Sequence, residues 1–321
     1  AAKDGIVIHS MCYGRTAASD GTVFPLVFTA PATYWSQATA ITKYIGSEVG
    51  GMDKLKGKKI SLVYHDSAYG KEPIATFEAL AKKYGFKFTK HPVAHPGLEQ
   101  KATWLTIGRK IRPDYVVMWG WGVMNSTAIK EAAAVKFPMD KFIGNWWSSN
   151  ENDTRPPGAA SKGYKGASFN VPGDFTQIHA DILKGIYGGD KDAAMKANFG
   201  EVLYNRGMIN GAIIVEAMRV AQKKFGNRSV TGEELAYGFE NMDMTEERFA
   251  ELGMKDFMKA IKLSCADHEG TSPLIMTQWD GNTWKPVSDW IMPDHAMVRP
   301  MYKEAAMMYA KEKGITPRKC M

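Results

Sequence analysis

Cysteine is scarce in this chain: three residues in 321, at Cys12, Cys265 and Cys320. No pair has the Cys-x-x-Cys spacing of a metal ribbon or a redox dithiol. A Cys265–Cys320 disulfide is one open alternative, and an oxidising compartment would be its condition. No apolar run approaches the roughly 20 residues that a membrane-spanning helix needs. Phosphate loops, dinucleotide glycine fingerprints and Gly-x-Ser-x-Gly elbows are missing too. A basic stripe with interleaved aromatics is also lacking, although the net charge is +7 and the pI about 9.1. Lysines and arginines are instead spread among acids, as in "GKEPIATFEALAKKYG" (70–85), so no nucleic-acid partner is expected. Ala1 opens directly on sequence of folded character with no visible signal peptide, as expected of a mature or trimmed chain.

What is present is an ordinary soluble mix, 45% hydrophobic and 23% charged, on a chain long enough for two lobes. Short apolar runs at 5–9, 24–28, 59–65, 114–119 and 141–144 read as buried strands. Helical spacing covers 34–49, 70–84, 98–111, 123–136, 175–187, 200–225 and 301–313. Such alternation predicts parallel sheets with helices on both faces. The polar, glycine-rich "GSEVGGMDKLKGKK" (46–59) reads as a link between two sheets. Patterns at 273–279 and 284–287, joined by Asp280-Gly281-Asn282, read as a hairpin.

The most distinctive stretch is "PDYVVMWGWGVMN" (113–125). In open α/β sheets, ligands sit outside the carboxyl ends of strands. Trp121 falls there, with glycines beside it that would clear space for a guest; Trp119 reads more readily as core. "GNWWSSNEND" (144–153) repeats the arrangement one strand later with Asn145, Trp146 and Trp147. Together they suggest an aromatic wall, with Asn145 adding a directional hydrogen bond. In "VYHDSAYGKE" (63–72), His65 and Asp66 point to opposite faces and make a poor dyad. Asp66 and Ser67 suit a turn and helix cap, and Tyr69 could reach a ligand. "HSMCYGRTAASDG" (9–21) offers small residues and free backbone N–H groups for an anion. A nucleophilic Cys12 lacks the signature of an activating base. "CADHEG" (265–270) reads as a polar crossover turn, not a metal site.

The order of these segments resembles the periplasmic solute-binding proteins of branched-chain amino-acid-type ABC importers, the leucine/isoleucine/valine-binding family. The similarity runs from the strand before "YWSQATAITKYI" through "KKISLVYHDSAYGKE", "PDYVVMWGWG" and "KFIGNWW" to "PLIMTQWDGNTWKPV". The resemblance implies an α/β fold of two Rossmann-like lobes with parallel sheets, hinge-linked by three crossovers and closing on a ligand in the cleft. It places the first lobe at 1–57 and 174–270, the second at 58–173 and 271–292, and a tail at 293–321. The family's opening strand-helix units have no counterpart before Ala1, so the first lobe is expected to be N-terminally incomplete.

By the same resemblance, the carboxylate-binding loop falls on Cys12, Tyr13 and Gly14, and the cleft aromatics on Tyr69 and Trp121. The family's two ammonium-binding acids fall on Tyr34 and Trp146, both aromatic here. A buried ammonium without counter-charge costs several kcal/mol. The expected solute is therefore a small aromatic or apolar carboxylate or amide, unless Asp66 or Glu151 supplies the charge. Arg206, in "LYNRGMING", could pair with a carboxylate or form a surface salt bridge. The expectation is a periplasmic, monomeric binding protein, not an enzyme, with no cofactor or metal and with an inner-membrane ABC permease as partner. Branched-chain amino-acid binding and a sensory ligand-binding module are the alternatives. An α/β hydrolase using Cys12 carries the least weight.

Overall fold

A computed structural model describes residues 2–10 and 14–320. The chain opens with strands β1 (Ile8–His9) and β2 (Val27–Phe28) and helix α1 (Tyr34–Glu48). There follow β3 (Lys59–His65), α2 (Ala68–Lys71), α3 (Ile74–Tyr84), β4 (Lys87–Val93) and α4 (Lys101–Thr106), the last running into a π-helical turn (Ile107–Ile111). Next come β5 (Tyr115–Trp119), α5 (Val123–Ala134), β6 (Phe142–Gly144), α6 (Glu151–Thr154) and β7 (Lys165–Ser168). A helical stretch holds α7 (Gln177–Gly185), α8 (Lys191–Lys196), α9 (Val202–Phe225) and α10 (Gly232–Asn241). The chain then forms β8 (Asp243–Met244), α11 (Glu246–Glu251) and β9 (Ile261–Lys262). It finishes with β10 (Ile275–Trp279), β11 (Trp284–Pro286) and α12 (His295–Lys313).

Two compact units result. Unit 1 comprises Ala1–Ser36, Asp174–Pro273 and Asp294–Met321; unit 2 comprises Gln37–Gly173 and Leu274–Pro293. The first division thus falls at 36, whereas the sequence suggested 57. Helix α1 accounts for the difference. Its Gln37 Oε1 accepts the Trp146 backbone N–H at 3.2 Å, and its Glu48 pairs with Lys165 at 2.8 Å. The 294–321 stretch belongs with unit 1, so by this division the chain passes between the units four times.

Unit 2 is built on a seven-stranded sheet ordered β11-β10-β7-β6-β5-β3-β4. Strands β3 to β7 run parallel, and β10 and β11 add an antiparallel hairpin. Its turn is the anticipated one: Asp280 Oδ1 accepts the N–H groups of Asn282 and Thr283, both at 2.8 Å. Central β5, "YVVMW", is buried throughout, because helices cover both faces of a parallel sheet. Edge strand β4, "KFTKHPV", mixes exposed and part-covered residues and buries only Val93. Lysines and a proline on such an edge discourage pairing with another chain.

Unit 1 is mostly helical among the described residues. It carries the parallel pair β1–β2 and the antiparallel pair β8–β9. A stack of rings fixes β2: Phe28 lies 4.4 Å from Phe239 and 4.0 Å from His268, centre to centre. On α9 the buried residues Val202, Arg206, Ile209, Ile213, Ala217 and Ala221 recur every three or four positions, forming one inward stripe. Helix α10 meets that stripe at Gly238, where an added Cβ would stand 2.0 Å from the Ala217 carbonyl oxygen. Helix α12 packs Ala306 and Ala310 on Ala17 and Val23. Beyond it, Cys320 is disulfide-bonded to Cys265, which decides the alternative left open above. Arg318 adds an ion pair to Glu240 and donates its Nε–H to Gly21 O at 2.8 Å.

Candidate functional site

In unit 2 the carboxyl ends of β3, β5 and β6 converge on one polar network. Tyr69, on α2, donates its hydroxyl to Gly120 O at 3.0 Å. Asn145 Nδ2 donates back to Tyr69 Oη at 3.0 Å. Ser148 Oγ lies 2.7 Å from Gly120 O and 3.0 Å from Asn145 Oδ1, and accepts the Gly120 N–H at 3.1 Å. The network closes on itself. Asn145 is fully buried within it, so its amide holds Tyr69 in place. Ser148 was not anticipated from the sequence; the only hint is the serine pair after the tryptophans.

The turn carrying Tyr69 is equally fixed. Ser67 caps α2 by accepting the Gly70 N–H, and it sits 2.9 Å from His65 Nδ1. Asp66 pairs with Lys71 at 2.6 Å, so His65 and Asp66 serve different partners. At Gly70 a Cβ would stand 1.9 Å from His65 O, so only glycine fits.

Trp121 is 44% exposed, and its ring meets His65 edge-on at 6.3 Å. Trp119 is fully buried and packs edge-on against Phe77 at 6.1 Å. Gly120 does not clear space for a guest. A Cβ there would meet Asn125 Oδ1 at 2.6 Å and Met118 Cε at 2.7 Å, so the vacancy is filled by protein. Gly122, with φ of +57°, has nothing within 4 Å of its Cβ direction and does face open space. Trp146 is 1% exposed, with its ring 4.3 Å from Phe169 inside unit 2.

In unit 1, Ser10, Gly14, Thr16, Thr29, Ala32, Thr33 and Tyr34 line a small pocket. Ser10, Thr29 and Thr33 are hydroxyl donors that the sequence reading did not single out. Gly14 adopts φ of +124° with nothing within 4 Å of its Cβ direction, leaving its backbone approachable. Cys12 and Tyr13 lie outside the described residues. Tyr34 is 1% exposed, and Arg206 at 2% is buried on α9, so a surface salt bridge does not account for it. The "CADHEG" segment works in the packing of unit 1. Asp267 pairs with Arg299 at 2.6 Å, and fully buried Glu269 accepts the Thr33 N–H at 2.8 Å and hydroxyl at 2.9 Å. Burial, and next the nearby Asp267, push the Glu269 carboxyl up. No cluster of three or more His, Cys, Asp or Glu suited to a metal occurs among the described residues.

The mostly parallel sheet of unit 2 is consistent with a type I periplasmic binding protein fold. The chain belongs to the periplasmic binding protein family, whose model matches residues 1–283. It is a solute-binding protein of an ABC transporter. One solved structure, described as an ABC transporter permease from the Pseudomonas fluorescens group, is 43% identical with a TM-score of 0.94, over 100% of this chain and 77% of that one. A branched-chain amino-acid ABC transporter protein from Thermus thermophilus with bound valine is 22% identical, with a TM-score of 0.68 over 87% and 70% of the two chains. A solute-binding protein from R. palustris in complex with benzoate is 18% identical, with a TM-score of 0.66 over 91% and 72%. The last two share the fold alone. No curated protein sequence matches significantly.

Proposed function

We propose that this protein is the extracytoplasmic solute-binding component of an ABC importer and that its solute is a small aromatic or apolar carboxylate or amide. The observation that carries the reading is that Tyr69, held by Asn145, and exposed Trp121 both stand at the unit 2 strand ends, where the nearby acids Asp66 and Glu151 are already engaged. Asp66 is neutralised by Lys71. Glu151 is 8% exposed in the first turn of α6 and is already engaged within the protein. Trp121 would stack on an apolar ring, and Trp146 would back that wall from within unit 2.

Tyr34, Gly14 and the neighbouring Cys12 and Tyr13 are the unit 1 groups that would meet a polar or anionic end; Arg206 would add positive charge on α9. The Cys265–Cys320 disulfide supports a periplasmic site of action, since such bonds persist in oxidising compartments. The benzoate-bound relative of the same fold supports an aromatic acid, and the valine-bound one supports the alternative of a branched-chain amino acid.

Isothermal titration with benzoate, benzamide, valine and leucine tests this reading. Benzoate or benzamide should bind, and Trp121→Ala should weaken that binding by up to roughly tenfold, about the worth of one aromatic stack. Binding of valine or leucine without any response to the aromatic compounds would overturn it.

A further inference from the structure

Hydrogen-bond accounting at the unit 2 strand ends leaves His65 Nε2 as a buried polar atom with no protein partner. The residue is 6% exposed, at the last position of β3. Two rings flank it edge-on: His95 at 5.6 Å and Trp121 at 6.3 Å. Both neighbours are exposed, so the imidazole is the buried end of a three-ring cluster open to solvent at its other members. Ser67 Oγ accepts the Gly70 N–H and keeps both a lone pair and its own proton for His65 Nδ1, so that bond suits the neutral and the protonated ring alike. Nε2 is the ring atom without a partner. A buried polar atom left unmet costs about 1–3 kcal/mol, so it marks a place where a ligand atom is favoured.

We infer that His65, with His95 and Trp121, forms a ring-lined anion subsite at the ends of β3 and β5, where His65 Nε2–H donates to an oxygen anion of the solute. This rests on the aromatic-acid reading and sharpens it: the preferred solute is an aromatic acid carrying a second carboxylate on its ring. The charged and titratable groups facing the imidazole are His95 and Asp66, the latter paired with Lys71. Burial, and next His95, hold His65 below the usual imidazole range, against the pull of Asp66. The free ring is therefore neutral near pH 7 and takes up a proton when the second carboxylate arrives. Affinity for that carboxylate rises as pH falls.

The test compares benzoate with benzene-1,3- and benzene-1,4-dicarboxylate by calorimetry at about pH 6 and about pH 8, where an imidazole changes charge. Wild type, His65→Gln and His95→Gln are measured side by side, with valine as the contrasting ligand. One dicarboxylate should bind roughly tenfold tighter than benzoate near pH 6, the equivalent of one pKa unit, with less advantage near pH 8. His65→Gln should erase that advantage, read as the ratio of dicarboxylate to benzoate affinity within each variant. His95→Gln, at an exposed position, should extend the advantage to higher pH by removing a like charge. Benzoate binding with no dicarboxylate gain, or a gain that survives His65→Gln, overturns the subsite and leaves the aromatic-acid reading standing. Should His65→Gln fail to fold, an unshifted pH profile in His95→Gln overturns the subsite by itself. Valine binding without benzoate binding overturns both.

Discussion

The two units hold themselves together by different means. Unit 2 hangs on one seven-stranded sheet whose strand ends interlock through backbone and side-chain hydrogen bonds. Unit 1 has only two-stranded pairs among its described residues and relies on helix packing, a ring stack, a buried carboxylate and a disulfide. The contrast shows where precision comes from. A wide sheet fixes backbone positions at its strand ends, so His65 is placed by the ladder itself and Tyr69 by its bonds to the strand-end residues Gly120 and Asn145. A helical unit needs covalent and ionic ties to hold its crossover segments.

Breaking those ties should separate the units most clearly. Cys320→Ser opens a closure spanning 55 residues, which loop entropy values at roughly 4 kcal/mol. The expected outcome is a lowered unfolding transition for unit 1 with unit 2 unmoved, read by hydrogen exchange of β5 amides against α9 amides. Equal loss in both units would erase the distinction.

Two glycines sharpen it further. Gly70→Ala drives a methyl group into the His65 carbonyl, and such overpacking costs about 1–3 kcal/mol. Gly211→Ala on α9 meets nothing within 4 Å, and the change should stabilise the helix by up to about 1 kcal/mol. Thermal denaturation of both variants checks the opposite signs.

The smallest effect concerns Glu269. Its carboxyl titrates higher in the fold than when unfolded, so ionisation works against folding. The penalty is absent below the unfolded value, grows as pH rises to the folded value and is constant above it. Glu269→Gln keeps an acceptor for Thr33 but cannot ionise. It should raise the melting temperature near neutral pH and leave it unchanged in acid. A uniform shift at all pH values would show that folding does not raise the carboxyl's pKa.

Much of the sheet was legible because β3, β5 and β6 are continuous apolar runs, and α1, α5 and α9 follow the helical period. Strand β4 escaped because lysines and Pro92 are edge-strand chemistry that reads as loop. Strand β7, "KGAS", escaped because it is buried without any bulky β-branched residue. Ring positions at strand ends were legible from spacing. Their roles were not. Nothing local in "GNWW" says that Asn145 is occupied by Tyr69, or that the room beside Gly120 is taken by Asn125, since those partners lie 76 and 5 positions away.

The turn from His65 to Gly70 ties solute preference to a part that resists alteration. Any side chain at position 70 moves the imidazole and the tyrosine together, so a changed appetite is more readily reached through the open ring at 121. Related binders with different cargo should then keep this corner and swap the indole, much as a tool keeps its shank and changes its bit.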